Sequence, residues 1–77
     1  MKTTGFLRLL EGVLELPEDS LHGPELLEDI PEWDSLAVIS FIALVDEHFE
    51  LPVDGEALAN AKTVDDLVAI VRGKLSD

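Results

Sequence analysis

Apolar residues recur at helical spacing in three separate stretches of the chain. The first helix is predicted from Gly5 to Leu16, with Thr4 as its N-cap. The second is predicted from Ser35 to Phe49, with Asp34 as its N-cap. The third begins at Thr63, where an acid three residues later forms a capping box. The predicted core positions are, helix by helix, Phe6, Leu9, Leu10 and Val13; Val38, Phe41, Ile42, Val45 and Phe49; and Val64, Leu67, Val68, Val71 and Leu75.

A long connection separates the first two of these helices. Residues 17–33 contain three prolines and a glycine, which prevent a long helix. The connection also carries too many apolar residues for a free linker, so we expect it to pack against the helices; these residues are Leu21, Leu26, Leu27 and Ile30. One or two further helical turns are predicted between Gly55 and Asn60, and no segment alternates as a strand does. The prediction is one domain, residues 1–77, with an all-α fold: a small antiparallel four-helix bundle of three main helices and one short helix.

The charge of the chain narrows its range of partners. The formal net charge is −12, and from Leu9 to Ala61 there are fourteen acids and no lysine or arginine. Nucleic acids and anionic membranes bind through cations, so neither is an expected partner, whereas proteins with basic surfaces are favoured. The chain has no cysteine, and its longest apolar run is far too short to cross a bilayer. A monomeric cytoplasmic protein is therefore expected.

The tripeptide Asp-Ser-Leu occurs twice, and its two serines lie in different predicted settings. Ser20 is followed by a His-Gly-Pro sequence, which places it on an irregular loop. Ser35 lies in the first turn of the second helix, where free backbone N–H groups and the positive end of the helix dipole favour a phosphate ester. Ser35 is therefore predicted to be the functional serine of the two.

The second helix also has an apolar face that points away from its predicted core positions. With successive residues about 100° apart, this face holds Leu36, Ile39, Ser40, Ala43, Glu47 and Glu50. An exposed apolar patch with an acidic rim is typical of a transient docking surface. The alternative is that the long connection covers Leu36 and Ile39.

The segment Trp33-Asp34-Ser35-Leu36, followed by an apolar helix with an acidic end, resembles the acyl carrier proteins and their peptidyl carrier relatives over nearly the whole chain. In that family the serine receives 4′-phosphopantetheine from coenzyme A through a separate Mg²⁺-dependent phosphopantetheinyl transferase. The thiol of this arm then holds acyl groups as thioesters. The resemblance implies that Ser35 carries the arm and that Asp34 caps the helix and helps the transferase recognise the site. It also implies recognition of acyl- or aminoacyl-loading and transferring enzymes with basic docking surfaces through Leu36, Ile39, Ala43, Asp46 and Glu47.

The resemblance further bears on the cargo and the pathway. It implies a space for the cargo chain lined by the core positions Val38, Phe41, Ile42 and Val45. Ala37 and Ser40 stand where fatty-acid carriers typically have acids, and Ala43 stands where many have methionine. These departures favour a specialised freestanding carrier that serves a secondary-metabolite, polyketide-like or aminoacyl-transfer pathway.

Other chemistries fit the sequence less well. A serine hydrolase would need His22 or His48 beside a serine in a closed pocket, for which a chain of 77 residues has little room. No group of acids follows the spacing of a calcium-binding loop, and Trp33 is expected to anchor the connection to the bundle. The prediction is therefore no enzyme, no catalytic residue and no metal. The remaining alternative is an unmodified acidic helical adaptor or inhibitor that binds a basic protein partner.

Overall fold

The computed structural model describes residues 1–76, and these form four α-helices and no strand. The helices are α1 (Thr3–Leu14), α2 (Ser35–Phe49), α3 (Gly55–Ala59) and α4 (Val64–Val71). A short 3₁₀ turn lies between α1 and α2 at Leu27–Asp29, and a second one follows α4 at Arg72–Lys74. The prediction of a small all-helical bundle with three longer helices and one short one is confirmed.

Local capping signals explain where the helices begin. The Asp34 carboxylate accepts the N–H of Ala37 at 2.9 Å, and Thr63 forms a reciprocal capping box with Asp66, so both predicted caps are confirmed. Thr4 as an N-cap is wrong, because α1 already begins at Thr3 and its cap position, Lys2, makes no side-chain hydrogen bond to the helix.

Two helices end earlier than predicted. Glu15 adopts a left-handed conformation with φ 58°, and the N–H of Leu16 bonds to the carbonyl of Glu11 at 2.9 Å. This closure ends α1 at Leu14, two residues before the predicted boundary. Helix α4 ends differently, because the chain tightens into a 3₁₀ turn after Val71. Leu75 therefore lies beyond α4 and is a partly buried residue packed against the core.

The contacts between helix ends establish the directions of α1, α2 and α4. The ring of Phe6, near the start of α1, lies 5.9 Å from the ring of Phe49 at the end of α2. The N–H of Ser76, just after α4, bonds to the carbonyl of Met1 at 2.8 Å. Helix α1 is therefore antiparallel to α2 and α4, and the start of α4 lies at the same end of the molecule as Ser35.

The core is apolar except for one carboxylate, and it differs from the predicted faces at several positions. Leu7 and Leu14 of α1, and Ala37 and Leu44 of α2, are buried although they were not predicted to be. The predicted core residues Leu9, Val13, Val38 and Phe49 are only partly buried. Ile42 is 37% exposed, because α3 has five residues and covers only part of the adjoining edge of α2. The buried apolar residues are Phe6, Leu7, Leu10, Leu14, Leu21, Leu27, Ala37, Phe41, Leu44, Val45, Leu58, Val64, Leu67, Val68 and Val71.

The connection between α1 and α2, residues 15–34, is here called the strap, because it is fastened to both α1 and α4. Its apolar residues Leu21 and Leu27 are buried, which confirms that the connection packs against the helices, although Leu26 is 41% exposed. Backbone hydrogen bonds join it to the start of α4: Leu27 N–H to Lys62 carbonyl (2.9 Å), Val64 N–H to Glu25 carbonyl (3.0 Å) and Asp65 N–H to Gly23 carbonyl (2.8 Å). The strap, which leads directly into α2, is therefore hydrogen-bonded to the start of α4.

Candidate functional site

Ser35 is the first residue of α2, and its exposure follows from the cap beside it. Asp34 turns its carboxylate toward the N–H of Ala37, and its carbonyl accepts the N–H of Val38 at 3.0 Å. These bonds fix the first turn of the helix and leave Ser35 exposed to solvent. Its hydroxyl makes no hydrogen bond to any of residues 1–76. The Ser35 hydroxyl is therefore accessible on a rigid element.

Ser20, the serine of the other Asp-Ser-Leu tripeptide, has a different environment. Its hydroxyl donates to the carbonyl of Pro17 at 2.5 Å, and its own N–H bonds to the same carbonyl at 3.2 Å. Ser20 thus closes a turn of the strap and is half-buried. The prediction that Ser20 lies on an irregular loop is confirmed.

The surroundings of Ser35 fit a phosphate ester. The first turn of α2 contains no acidic residue. The backbone N–H groups of Ser35 and Leu36 have no acceptor within the described residues, so they remain available at the positive end of the helix dipole. A phosphate attached to the Ser35 oxygen would thus be able to accept hydrogen bonds from these two free N–H groups.

Exposed apolar residues follow Ser35 along the outer face of α2 and form an apolar patch. Leu36 is 71% exposed and Ile39 is 64% exposed, so the alternative that the strap covers them is wrong. Ala43 is exposed on the same face, and Asp46 and Glu47 are exposed beyond it. Ser40, predicted to face outward, is half-buried. The structure therefore places all five predicted recognition residues at the surface.

Trp33 connects the site to a groove between α2 and α3. The indole is half-buried and packs edge-on against Phe41, with ring centroids 6.0 Å apart at 77°. This contact confirms Trp33 as an anchor of the strap. The groove has a volume of about 370 Å³, and its lining residues are Trp33, Val38, Ile42, Gly55, Leu58, Ala59 and Ala61.

The groove corrects the predicted lining for a cargo chain. Val38 and Ile42 line it as expected. Phe41 and Val45 do not, because both side chains are fully buried in the core, where Phe41 packs edge-on against Phe6 of α1. The missing part of the lining comes from Leu58 of α3 and from Ala61 in the loop after α3, which no periodicity in α2 could reveal.

Sequence reasoning also missed a buried charge. Glu11 is only 2% exposed, and its carboxylate accepts the N–H groups of Asp19 and Leu21 in the strap. Its position carried a signal, since Glu11 lies four residues after Leu7 and three before Leu14, both on the buried face of α1.

Neither histidine makes a hydrogen bond to Ser35 within residues 1–76. His22 is in the strap, with Nδ1 3.3 Å from the carboxylate of Glu25. His48 is exposed near the end of α2, about 20 Å along the helix axis from Ser35 at a rise of about 1.5 Å per residue. Among residues 1–76 there is no group of three or more His, Asp or Glu side chains that could hold a metal ion. No helix in that part of the chain is long and apolar enough to cross a membrane.

A comparison with protein families gives the site its context. The family model described as "Phosphopantetheine attachment site" matches residues 5–71, which include α2, α3, α4 and all but the first two residues of α1. No curated protein and no solved structure matched the chain. Domains of this family bind 4′-phosphopantetheine covalently and are carriers rather than catalysts. The chain therefore belongs to the phosphopantetheine attachment-site family and is a carrier protein of the acyl carrier type.

Proposed function

We propose that Ser35 is the residue that receives the 4′-phosphopantetheine arm. The observation that carries this proposal is the exposed, unbonded hydroxyl at the first position of α2, next to free backbone N–H groups. In the transfer, the Ser35 oxygen forms a bond to phosphorus, its proton passes to a base of the transferase, and the adenosine 3′,5′-bisphosphate part of coenzyme A leaves. Once attached, the arm supplies a thiol that holds acyl groups as thioesters.

Asp34 acts as a positioning residue in this proposal. Its carboxylate fixes the first turn of α2 through the 2.9 Å hydrogen bond from Ala37, so the Ser35 oxygen keeps one orientation toward an approaching transferase. Asp34 itself is exposed, so the same carboxylate also offers a contact to the enzyme.

The apolar patch on α2 is the proposed docking surface for partner enzymes. Leu36, Ile39 and Ala43 would bury apolar area, and Asp46 and Glu47 would pair with basic residues on the partner. The net charge of −12 would steer the carrier toward such basic surfaces over longer distances.

The proposed cargo is an acyl or aminoacyl group of a specialised pathway. The two positions that carry acids in fatty-acid carriers hold the uncharged residues Ala37 and Ser40 here, so they add no charge to the docking surface. The groove beside Trp33 is mostly apolar and suits the apolar part of a cargo. The carrier would act as a monomer in the cytoplasm, where coenzyme A and its transferase are present.

Intact mass measurement tests the attachment residue. The wild-type protein, incubated with coenzyme A and a broad-specificity phosphopantetheinyl transferase, is expected to gain one phosphopantetheine. Ser35→Ala should abolish the gain, and Ser20→Ala should keep it, with circular dichroism confirming that both variants are folded. If only Ser20→Ala abolished the mass gain, Ser20 and not Ser35 would carry the arm, and the proposal would be wrong. A folded wild type that gains nothing would favour the alternative of an unmodified acidic adaptor or inhibitor of a basic protein.

A further inference from the structure

Backbone N–H groups in the first half of the strap are held by carboxylates rather than by carbonyl groups. Glu11 of α1 accepts two of them, the N–H of Asp19 on Oε1 at 3.3 Å and the N–H of Leu21 on Oε2 at 2.8 Å. Residues 19–23 form neither helix nor strand, so these donors have no regular ladder to join. Each of the two carboxylate oxygens of Glu11 therefore holds one strap donor.

Glu25, four residues after Leu21 in the strap, makes the same kind of contact with two further N–H groups. Its Oε2 accepts the N–H of His22 at 2.8 Å, and its Oε1 accepts the N–H of Gly23 at 2.7 Å. The N–H of Ser20, which lies between Asp19 and Leu21, bonds instead to the carbonyl of Pro17. Four of the five N–H groups from residue 19 to residue 23 thus depend on the two carboxylates, which we call the clamp.

Other charged groups surround the clamp on three elements. On α1, Arg8 pairs with Glu11 (Nε to Oε1, 3.2 Å) and also with Asp19, and it donates to the carbonyl of Leu21 at 3.0 Å. In the strap, the ring of His22 lies against Glu25. From α4, Asp65 faces Gly23, which is buried.

We propose that Glu11 and Glu25 form a clamp on strap residues 19–23, and that protonation of Glu25 releases the strap at His22 and Gly23 in a local opening while the four helices stay folded. Protonation turns one oxygen of the Glu25 carboxyl group from an acceptor into a donor, so Glu25 then serves only one of its two N–H partners. The helices do not depend on these groups for their ladders, because their N–H groups bond to backbone carbonyls. This device is independent of the phosphopantetheine arm.

The titration of Glu25 has the sign that this device requires. Burial raises the pKa of Glu25, but hydrogen bonds from the backbone of Gly23, Glu25 itself and His22, together with the His22 side chain, outweigh burial and lower the pKa below its ordinary 4.5. A lowered pKa in the folded state means that the stabilisation is complete above pH 4.5 and is lost as the pH falls through the lowered value. The Glu25 part of the clamp therefore opens as the pH falls through the lowered pKa of Glu25.

Amide hydrogen exchange at neutral pH tests the clamp without acid. Glutamine keeps one acceptor oxygen and replaces the other with a donor, so Glu25→Gln and Glu11→Gln each remove one strap hydrogen bond. We expect the protection of the strap amides of Leu21, His22 and Gly23 to fall by about tenfold or more, in line with hydrogen bonds to charged acceptors. Core amides of α2 should keep their wild-type exchange rates in Glu25→Gln. Glu18→Gln is the matched control, because Glu18 is exposed in the same strap and makes no hydrogen bond within residues 1–76.

Two results of the exchange measurement at neutral pH would overturn the clamp. One is equal protection of strap and core amides in the wild type, which would mean that the strap opens only when the whole protein unfolds. The other is unchanged strap protection in Glu25→Gln, which is the decisive variant because Glu25 is partly exposed and its change is not expected to prevent folding. An acid series on the wild type completes the test. The amides of His22 and Gly23 should lose protection at a higher pH than the amides of α2 and α4, and a common midpoint would contradict the proposal.

Discussion

The same substitution at two glycines should change stability in opposite directions. Gly23 lies in the strap with φ 130°, a backbone conformation that a residue with a Cβ adopts only under strain. Gly12 lies in the exposed part of α1, and a Cβ there would meet no heavy atom within 4 Å. Replacing either glycine with alanine adds one methyl group, so the two variants form a matched pair.

The size of each effect follows from the backbone. At Gly23, the strained conformation costs about 1–3 kcal/mol, and the reduced freedom of the unfolded chain returns about 0.4–1 kcal/mol, so Gly23→Ala should destabilise the protein by about 1–2 kcal/mol. At Gly12, alanine should stabilise α1 by about 0.8–1 kcal/mol. For a domain of this size each kcal/mol shifts the melting temperature by about 4–8 °C. The two variants should therefore melt on opposite sides of the wild type.

Steric overlap makes a second, separable contribution at Gly23. A methyl group there would overlap the carboxylate of Asp65, but that side chain is exposed and can rotate away. We therefore expect Gly23→Ala to cost nearly as much in an Asp65→Ala background as in the wild type. Urea unfolding of the two single variants and the double variant measures this coupling.

Two outcomes would refute this reasoning. If Asp65→Ala restored full stability to Gly23→Ala, overlap rather than backbone strain would be the cause. If Gly23→Ala were as stable as the wild type, the left-handed conformation at this position would not be required by the fold.

Three further predictions concern the site and its supports. Asp34→Ala should lower the free energy of unfolding by about 1 kcal/mol, because the N–H of Ala37 loses its acceptor, whereas Asp34→Asn should stay close to the wild type in urea unfolding. Ile39→Ser should change the free energy of unfolding by less than about 0.5 kcal/mol, since the side chain is 64% exposed, but should weaken transferase binding measured by calorimetry. Hydrogen bonds from the N–H groups of Lys62 and Thr63 lower the pKa of Asp66, so an NMR titration should give a midpoint below 3.8. The support that Asp66 gives to the α4 cap should be complete above pH 3.8 and lost as the pH falls through the lowered pKa.

Each of these predictions has its own control or contradicting result. An Asp34→Asn variant as unstable as Asp34→Ala would mean that the capping oxygen is not the important feature. Leu26→Ser is the control for Ile39→Ser, since Leu26 is also exposed but lies on the strap; equal loss of binding in both would argue against a docking surface on α2. A midpoint for Asp66 at or above 3.8 would contradict the capping box.

The sequence by itself determined the features that depend on neighbours along the chain. Asp34 and Thr63 were identified as caps because a cap is made by a side chain and an N–H group two or three residues later. Ser35 was preferred over Ser20 for the same reason, since a helix can follow one and not the other. The helical periodicity of α2 and α4 likewise needs only the spacing of apolar residues along the chain.

The tertiary structure decided which side chains those elements bury. Ile42 has the spacing of a core residue but is 37% exposed, because it lines the open groove between α2 and α3 instead of entering the core. Glu11 is charged yet buried, because the strap turns back and presents two N–H groups that satisfy its carboxylate. Both outcomes depend on elements far away in the sequence, and a local pattern contains no information about where such elements will lie. A helix and its cap are local properties, whereas burial is a property of the packed molecule.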